Sequence, residues 1–357
     1  MKRFSPVSVL SVGFILVAGC STMQQATSAD RSPPVIETRS VDPQKELDLA
    51  RRLAWDAAVM VQHPPHPAMV WQEARVKWRK AIQLLEAIPP DSAISGVAKD
   101  RLAVYRKNYD AIDNRLRVEE QATEQLANAK ALAWQAAVTV QGAPHQLQVW
   151  QRASQKWQEA IAHLENVPPT ASGFKESQQK LATYRQNHAI INQHVAIETQ
   201  ALMALKQFSE VAVQFNQLPT TVLSQQATDP VGITYEDYTD IVKQLETSFQ
   251  DFAKLPKTDK HPVYPGLRKA ISEYQYALRL WQAYRTTQPE TTYWPNASTY
   301  QIFSPDAADL QRLIQTYQVK PLVDGKHVSL NFSIWAIWQQ AATAVRNAQQ
   351  ALQKELG

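Results

Sequence analysis

The chain has 357 residues, 44% of them hydrophobic, and a formal net charge of +4 at pH 7. This near balance argues against a nucleic-acid partner, because such binding usually needs a concentrated basic face. With nine glycines and one cysteine, the sequence contains no glycine-rich nucleotide fingerprint and allows no internal disulfide or zinc–thiolate site. We therefore expect no cofactor and no metal, and expect stability to come from packing.

An apolar segment lies near the N-terminus. It runs from Val7 to Val17 behind two basic residues. About 11 residues suit the apolar part of a signal peptide, whereas a membrane-spanning helix needs roughly 20. The string Val17-Ala18-Gly19-Cys20 closes this segment and resembles the lipobox of bacterial lipoproteins. An ordinary secretory signal with a chance cysteine is the alternative.

The lipoprotein resemblance implies a signal peptide over residues 1–19 and a membrane anchor formed by acylation of Cys20, palmitate included. Two or three acyl chains hold a protein to a bilayer stably, because each buried CH₂ adds about 0.8 kcal/mol. The resemblance also implies a periplasm-facing location in the cell envelope, and Ser21 in place of Asp favours the outer over the inner membrane. Residues 20–43 are rich in Ser, Thr, Gln and Pro, which predicts a flexible tether.

The sequence repeats itself after 79 residues. Close to half of the 60 positions from 53 to 112 are identical in the second copy, which indicates a duplicated structural unit. The matches include Leu53-Ala54-Trp55 with Leu132-Ala133-Trp134, Lys77-Trp78 with Lys156-Trp157, and Pro89-Pro90 with Pro168-Pro169. We assign two tandem units to residues 44–216.

Each unit is predicted to hold three helices, the third beginning near Ser92. The fold class is therefore all-α, a helical array of the tetratricopeptide-like or spectrin-like kind. Residues 97–141 and 174–218 contain no Gly or Pro and show apolar residues at helical spacing. This pattern predicts long helices shared between consecutive units. The apolar pattern thins at 117–124 and 198–200, which indicates either waists between bundles or breaks in the helices.

The helix with Ala74, Trp78 and Ala81, followed by Pro89, is similar to a tetratricopeptide repeat. Trp-rich helical units with paired prolines also occur in cyanobacterial envelope proteins and protease-associated proteins. This resemblance covers about residues 44–200 and implies a scaffold, since a repeat fold does not specify an activity.

Residues 217–357 are predicted to form a C-terminal helical region. Thr234 is expected to cap a helix that ends near Leu255, in a degenerate third unit. A final amphipathic helix from about Asn331 to Leu356 is expected to cap the array. Between them lies a proline-interrupted aromatic segment, and its candidate partner-binding residues are Tyr293, Trp294, Tyr300 and Phe303. Alternatively, these aromatic residues cover the end of a helix.

Other motifs have mainly structural interpretations. The spacing of Trp71, Trp78, Trp150 and Trp157 predicts buried residues on one helix face. His63 and His66 enclose two prolines and are interpreted as a turn, with a metal pair as the alternative. Arg106 and Arg185 are expected to stack on Trp78 and Trp157.

We expect no catalytic residues. Glu176-Ser177 is the dipeptide used by some lytic transglycosylases, but the rest of that family's motif is missing. The favoured function is a non-catalytic, lipid-anchored envelope scaffold that binds another envelope protein. The alternatives are a peptidoglycan-acting enzyme or its accessory subunit, and a structural spacer between envelope layers.

Overall fold

The computed structural model describes residues 42–217, 233–287 and 301–356, and it confirms the predicted all-α class. A 3₁₀ turn lies at Thr258–Lys260, and strands β1 (Ile302–Phe303) and β2 (Val328–Ser329) pair antiparallel. Within the described ranges, no helix is both long and apolar enough to cross a bilayer. The helices are α1 (Pro43–Met60), α2 (Ala68–Glu86), α3 (Ser95–Thr139), α4 (Leu147–Glu165), α5 (Phe174–Gln217), α6 (Tyr235–Ala253), α7 (Tyr264–Thr286), α8 (Ala307–Tyr317) and α9 (Leu330–Leu356).

Short polar side chains fix several helix starts. Asp42 accepts hydrogen bonds from the backbone N–H groups of Gln44 and Lys45 at the start of α1, and Thr234 accepts one from Asp237 at the start of α6. These caps satisfy donors that have no partner inside the helix. Helix α3 begins three residues later than predicted. The backbone N–H of Ser95 donates to the carbonyl of Ser92 at 3.1 Å, so residues 92–94 form a turn before the helix.

The two long helices are continuous. Helix α3 has 45 residues and α5 has 44, and both run unbroken through the segments where the apolar pattern thins. The hydrophobic core divides there instead. The first cluster ends at Leu116 and the second begins at Ala122, while the second ends at Ile191 and the third begins at Ile197. Each long helix therefore contributes to two successive cores.

The contacts within the first unit recur 79 residues later. The tryptophans predicted to share a helix face are buried, as expected: Trp71, Trp78, Trp150 and Trp157. Trp78 meets the ring of Tyr105 edge-on at 5.1 Å, and Trp157 meets Tyr184 at the same distance. Such edge-to-face pairs add to the stabilisation from burial. The duplicated sequence thus builds two cores with nearly the same aromatic packing.

The predicted stacking of arginine on tryptophan is wrong. The guanidinium of Arg106 pairs with Glu86 at 2.7 Å, and that of Arg185 pairs with Glu165 at 2.7 Å. A carboxylate at the end of the preceding helix lies within reach of each arginine and accepts a charge-assisted hydrogen bond from it. Each indole packs against the tyrosine that precedes the arginine instead.

The third cluster combines the C-terminal half of α5 with α6, α7 and α9. Trp338 stacks on Phe215 at 4.1 Å, and its indole N–H donates to the hydroxyl of Tyr238 at 3.0 Å. That hydroxyl donates in turn to the carbonyl of Tyr274 at 2.8 Å. Helix α9, predicted as a terminal cap, is therefore integral to the core of the C-terminal region.

A candidate partner-binding cleft

The C-terminal region carries a small structure built from α8, the β-ribbon and the start of α9. Helix α8 ends at a left-handed residue, Gln318, which has a φ of 55°. The N–H groups of Gln318 and Val319 both donate to the carbonyl of Leu313, the second at 3.0 Å, and so provide partners for the end of the helix. The chain then turns at Asp324. Its carboxylate accepts the backbone N–H groups of Lys326 and His327 at 3.1 Å each, and these bonds, with that from the His327 ring, lower the pKa of Asp324 to about 2.

A buried polar group fixes α8 on α7. The hydroxyl of Tyr317 donates to the carboxylate of Glu273 and accepts a hydrogen bond from Arg312 at 2.9 Å. The guanidinium of Arg312 also lies 3.7 Å from the ring centre of Tyr276. Burial, and then the bond to Glu273, raise the pKa of Tyr317 well above its usual value. The carboxylate of Glu273 is buried and is tolerated there because it is paired and hydrogen-bonded.

An apolar cleft of about 610 Å³ opens between these elements. Its wall on α9 carries Phe332 and Trp335, which are 49% and 38% exposed although both are large aromatic residues. The adjacent turn of α9 places Trp338 in the core instead. Other lining residues are Ile302, Val319, Pro321 and Ala336. Apolar clefts with exposed aromatic side chains are typical of surfaces that bind a partner.

The residues predicted for partner binding fall into two groups. Tyr293, Trp294 and Tyr300 lie outside the described residues, as does Cys20. Phe303 is only 3% exposed and meets Tyr284 edge-on at 5.9 Å. Its predicted role as a contact is corrected to a structural one, because its side chain is in the core. The neighbouring Ile302 lines the cleft, so the predicted aromatic segment ends at this site.

The histidine motif forms a turn. The ring Nε2 of His66 lies 2.8 Å from the carbonyl oxygen of Gln62, and the indole N–H of Trp71 donates to the carbonyl of His66 at 2.9 Å. His63 has a left-handed backbone conformation, and Gly142 has the same conformation at the matching position. Within the described ranges, no three His, Cys, Asp or Glu residues are grouped so that they could hold a metal ion.

Glu176 is engaged in ion pairs. Its carboxylate lies 2.7 Å from the Lys130 ammonium group and 3.7 Å from that of Lys180. The hydrogen bond from Lys130 is the largest cause of a lowered pKa for Glu176. This shift is opposite in direction to the raised pKa of a typical general acid.

Sequence reasoning missed the polar junctions between the cores. Glu119 in α3 is 1% exposed, and its carboxylate accepts the N–H of Ser172 at 3.0 Å and its hydroxyl at 2.8 Å. Arg115 completes the junction by pairing with Glu119 at 3.4 Å and donating to the carbonyl of Thr170. Two sequence signals pointed to Glu119. It lies on the apolar face of α3, three residues after Leu116 and three before Ala122, and it recurs as Glu198 in the second unit.

The second junction uses histidines at related places. Glu198 matches Glu119 in the repeat, and its carboxylate lies 3.4 Å from Nε2 of His261. His194 matches Arg115 and stacks on Trp150 at 4.2 Å. Burial, followed by the nearby Lys257 charge, lowers the pKa of His194 against the opposing effect of Glu198. A cavity of about 340 Å³ lies beside these groups.

No protein-family model, no curated protein and no solved structure matches the chain.

Proposed function

We propose that the chain is a non-catalytic, lipid-anchored scaffold of the bacterial envelope that binds another envelope protein through the apolar cleft of its C-terminal region. The single observation that supports this proposal best is the pair of exposed aromatic residues in the cleft, Phe332 and Trp335. Aromatic anchors of this kind contribute most of the binding energy when a partner covers them.

The cleft suits an apolar segment of a protein partner. Its volume of about 610 Å³ falls within the range of clefts that bind ligands. The bonds among Glu273, Arg312 and Tyr317 hold α8 against α7. A cleft wall held in this way has little conformational freedom to lose on binding, so more of the contact energy appears as affinity.

The lipid anchor rests on the lipobox at Cys20. Acylation would place the folded body beside one membrane, where a membrane protein is the nearest partner. This part of the proposal is tested by labelling cells with palmitate. We expect label on the wild-type chain and none on Cys20→Ser, and an unlabelled wild-type chain would remove the anchor.

Affinity capture from solubilised membranes tests the binding site. The double variant Phe332→Ala and Trp335→Ala should lose the captured partner, because it removes both exposed rings and leaves the core intact. Val323→Ala is the matched control, since Val323 is fully exposed on the neighbouring turn and does not line the cleft.

Two results would contradict the proposed function. Equal recovery with the double variant and with Val323→Ala would show that the cleft is not the binding site. Release of fragments from purified cell-wall sacculi by the full chain would replace the scaffold with an enzyme.

A further inference from the structure

Two tryptophans of the repeats are exposed although their neighbours are buried. Trp55 is 71% exposed on α1 and Trp134 is 67% exposed on α3. They occupy matching positions in the two units. In each case the small buried face of the same helix, formed by alanines such as Ala54 and Ala133, packs inward. The indoles therefore contribute little to either core.

Each indole belongs to a short stripe along one helix face. A valine follows it by four residues and a basic residue precedes it by four, which is the spacing of one helical turn. We call these the indole stripes: Arg51, Trp55 and Val59 in the first unit, and Lys130, Trp134 and Val138 in the second. Both valines are exposed.

The duplication keeps these exposed apolar residues and not others. Between positions 53 and 112, the other large apolar side chains exposed in the first unit become polar in the second. These changes are Met69 to Gln148, Val76 to Gln155, Val97 to Glu176 and Val104 to Thr183. Since the core does not require Trp55, Val59 or their counterparts, their retention points to a binding surface.

We propose that the two indole stripes lie against the surface of the bilayer that carries the Cys20 anchor, with both indoles in the headgroup layer. This inference rests on the lipid anchor of the proposed function. Tryptophan is enriched at the membrane interface because its ring is apolar while its N–H remains hydrated. Neighbouring aliphatic and basic side chains complete the composition of helices that lie in that interface.

The chain between the anchor and α1 is long enough for the first stripe to reach the bilayer. Twenty-one residues separate Cys20 from Asp42, and a segment of that number of residues can span at most about 70 Å. Trp55 lies 13 residues beyond Asp42, which is about 20 Å along α1. The covalent link to Cys20 therefore allows α1 to lie against the membrane surface.

The basic residue of each stripe is paired with a nearby acidic residue. Arg51 lies 3.4 Å from Asp48, and Lys130 lies 2.7 Å from Glu176. We therefore expect apolar contact to dominate, with little dependence on anionic lipid. Each stripe lies on the convex face of one helix, whereas small ligands usually occupy concave sites. This shape suits a planar bilayer surface.

Spin labelling of the full acylated chain tests the proposal. Cys20 is the only native cysteine, so once it is acylated a second, introduced cysteine can be labelled specifically. Nitroxides would be attached at Val59→Cys, Val138→Cys and, as the matched control, Val104→Cys. The chain would be bound to vesicles of phosphatidylcholine and phosphatidylglycerol that contain no other protein. The ratio of the nitroxide's collision rate with oxygen to that with a soluble nickel complex should rise severalfold at 59 and 138 when the vesicles are added. It should stay unchanged at 104.

Adding Trp55→Ala and Trp134→Ala should abolish the rise at both positions while the protein remains with the vesicles. Labels at 59 and 138 that stay water-exposed on vesicle-bound protein would overturn the proposal and leave the anchor intact. Protection seen only after solubilised membrane proteins are added would overturn it in favour of a protein partner. An unacylated chain, read by mass, would remove the anchor and this inference together.

Discussion

Single buried residues connect the successive cores, and Glu119 is the clearest case. Its carboxylate accepts two hydrogen bonds from Ser172 and pairs with Arg115, so one side chain of α3 holds the loop before α5. Helical spacing from Leu116 and Ala122 places Glu119 on the buried face of α3, whereas Glu120 beside it is exposed. The partners of Glu119 in the loop before α5 become apparent only in the fold.

We predict that Glu119→Ala lowers the free energy of unfolding by about 3 kcal/mol, because it leaves Ser172 and Arg115 without their buried acceptor. Glu120→Ala is the control and should change it by less than about 0.5 kcal/mol. Urea titration followed by circular dichroism measures both. Similar midpoints for the two variants would show that the junction contributes nothing.

Helices α7 and α9 approach each other closely at Gly266. A methyl group there would lie 2.6 Å from the carbonyl oxygen of Ala344 and 2.7 Å from the methyl of Ala348. Gly266→Ala should therefore cost about 1–3 kcal/mol through overpacking of α7 against α9.

Gly96 provides the matched control, since no atom lies within 4 Å of a methyl group there. Gly96→Ala in the first turn of α3 should be neutral or stabilising by up to about 1 kcal/mol. Thermal unfolding of the two variants compares them directly. A Gly266→Ala protein as stable as the wild type would contradict the packing of α9 on α7.

The long helices are the defining elements. Helix α3 spans about 67 Å at 1.5 Å per residue and joins the first two cores without a break. Its continuity could be predicted from the sequence, because residues 97–141 lack Gly and Pro. Whether the polar stretch at 117–124 ended the helix could not be predicted, because the compensating partners of Glu119 lie more than 50 residues away.

Continuity of α3 predicts sensitivity to proline at its middle. Gln121→Pro should cost about 3 kcal/mol or more, because proline removes a backbone donor and clashes with the preceding turn. Gln121→Ala is the control and should be neutral, since Gln121 is exposed. The helix content measured by circular dichroism and the midpoint of urea unfolding would report the effect. A tolerated proline would mean that the two cores are joined by separate helices.

His194, at the second junction, predicts that the free energy of unfolding depends on pH. The pKa of His194 is lowered in the folded protein, first by burial, so the unfolded chain binds the proton more tightly. Stability is therefore retained above the ordinary histidine pKa of about 6.5 and falls as the pH drops through and below it.

His194→Phe keeps a ring against Trp150 and removes this titration. Its loss of stability between pH 7.5 and 5 should be smaller than that of the wild type in urea titrations; an equal loss would exclude His194 as the cause.

At the scale of the whole molecule, the repeats build an extended body and the C-terminal region adds a different surface. The repeat and the tryptophan cores could be predicted because the duplication shows which positions are kept. The start of α6 could be predicted because Thr234 is a good N-cap. The cleft could not. Phe332 and Trp335 share α9 with the buried Trp338, and only the placement of α8 and the β-ribbon leaves the first two uncovered. Strands of two residues are too short to give an alternating pattern.

Photocrosslinking in living cells tests directly whether the cleft binds a partner. A benzophenone amino acid would replace Lys320, an exposed residue that lines the cleft beside Phe332 and Trp335, or Val104 on the exposed face of α3. We predict a discrete, membrane-associated protein adduct at 320 and none at 104. An empty lane at 320, or the same adducts at both positions, would contradict a scaffold that binds its partner through the cleft.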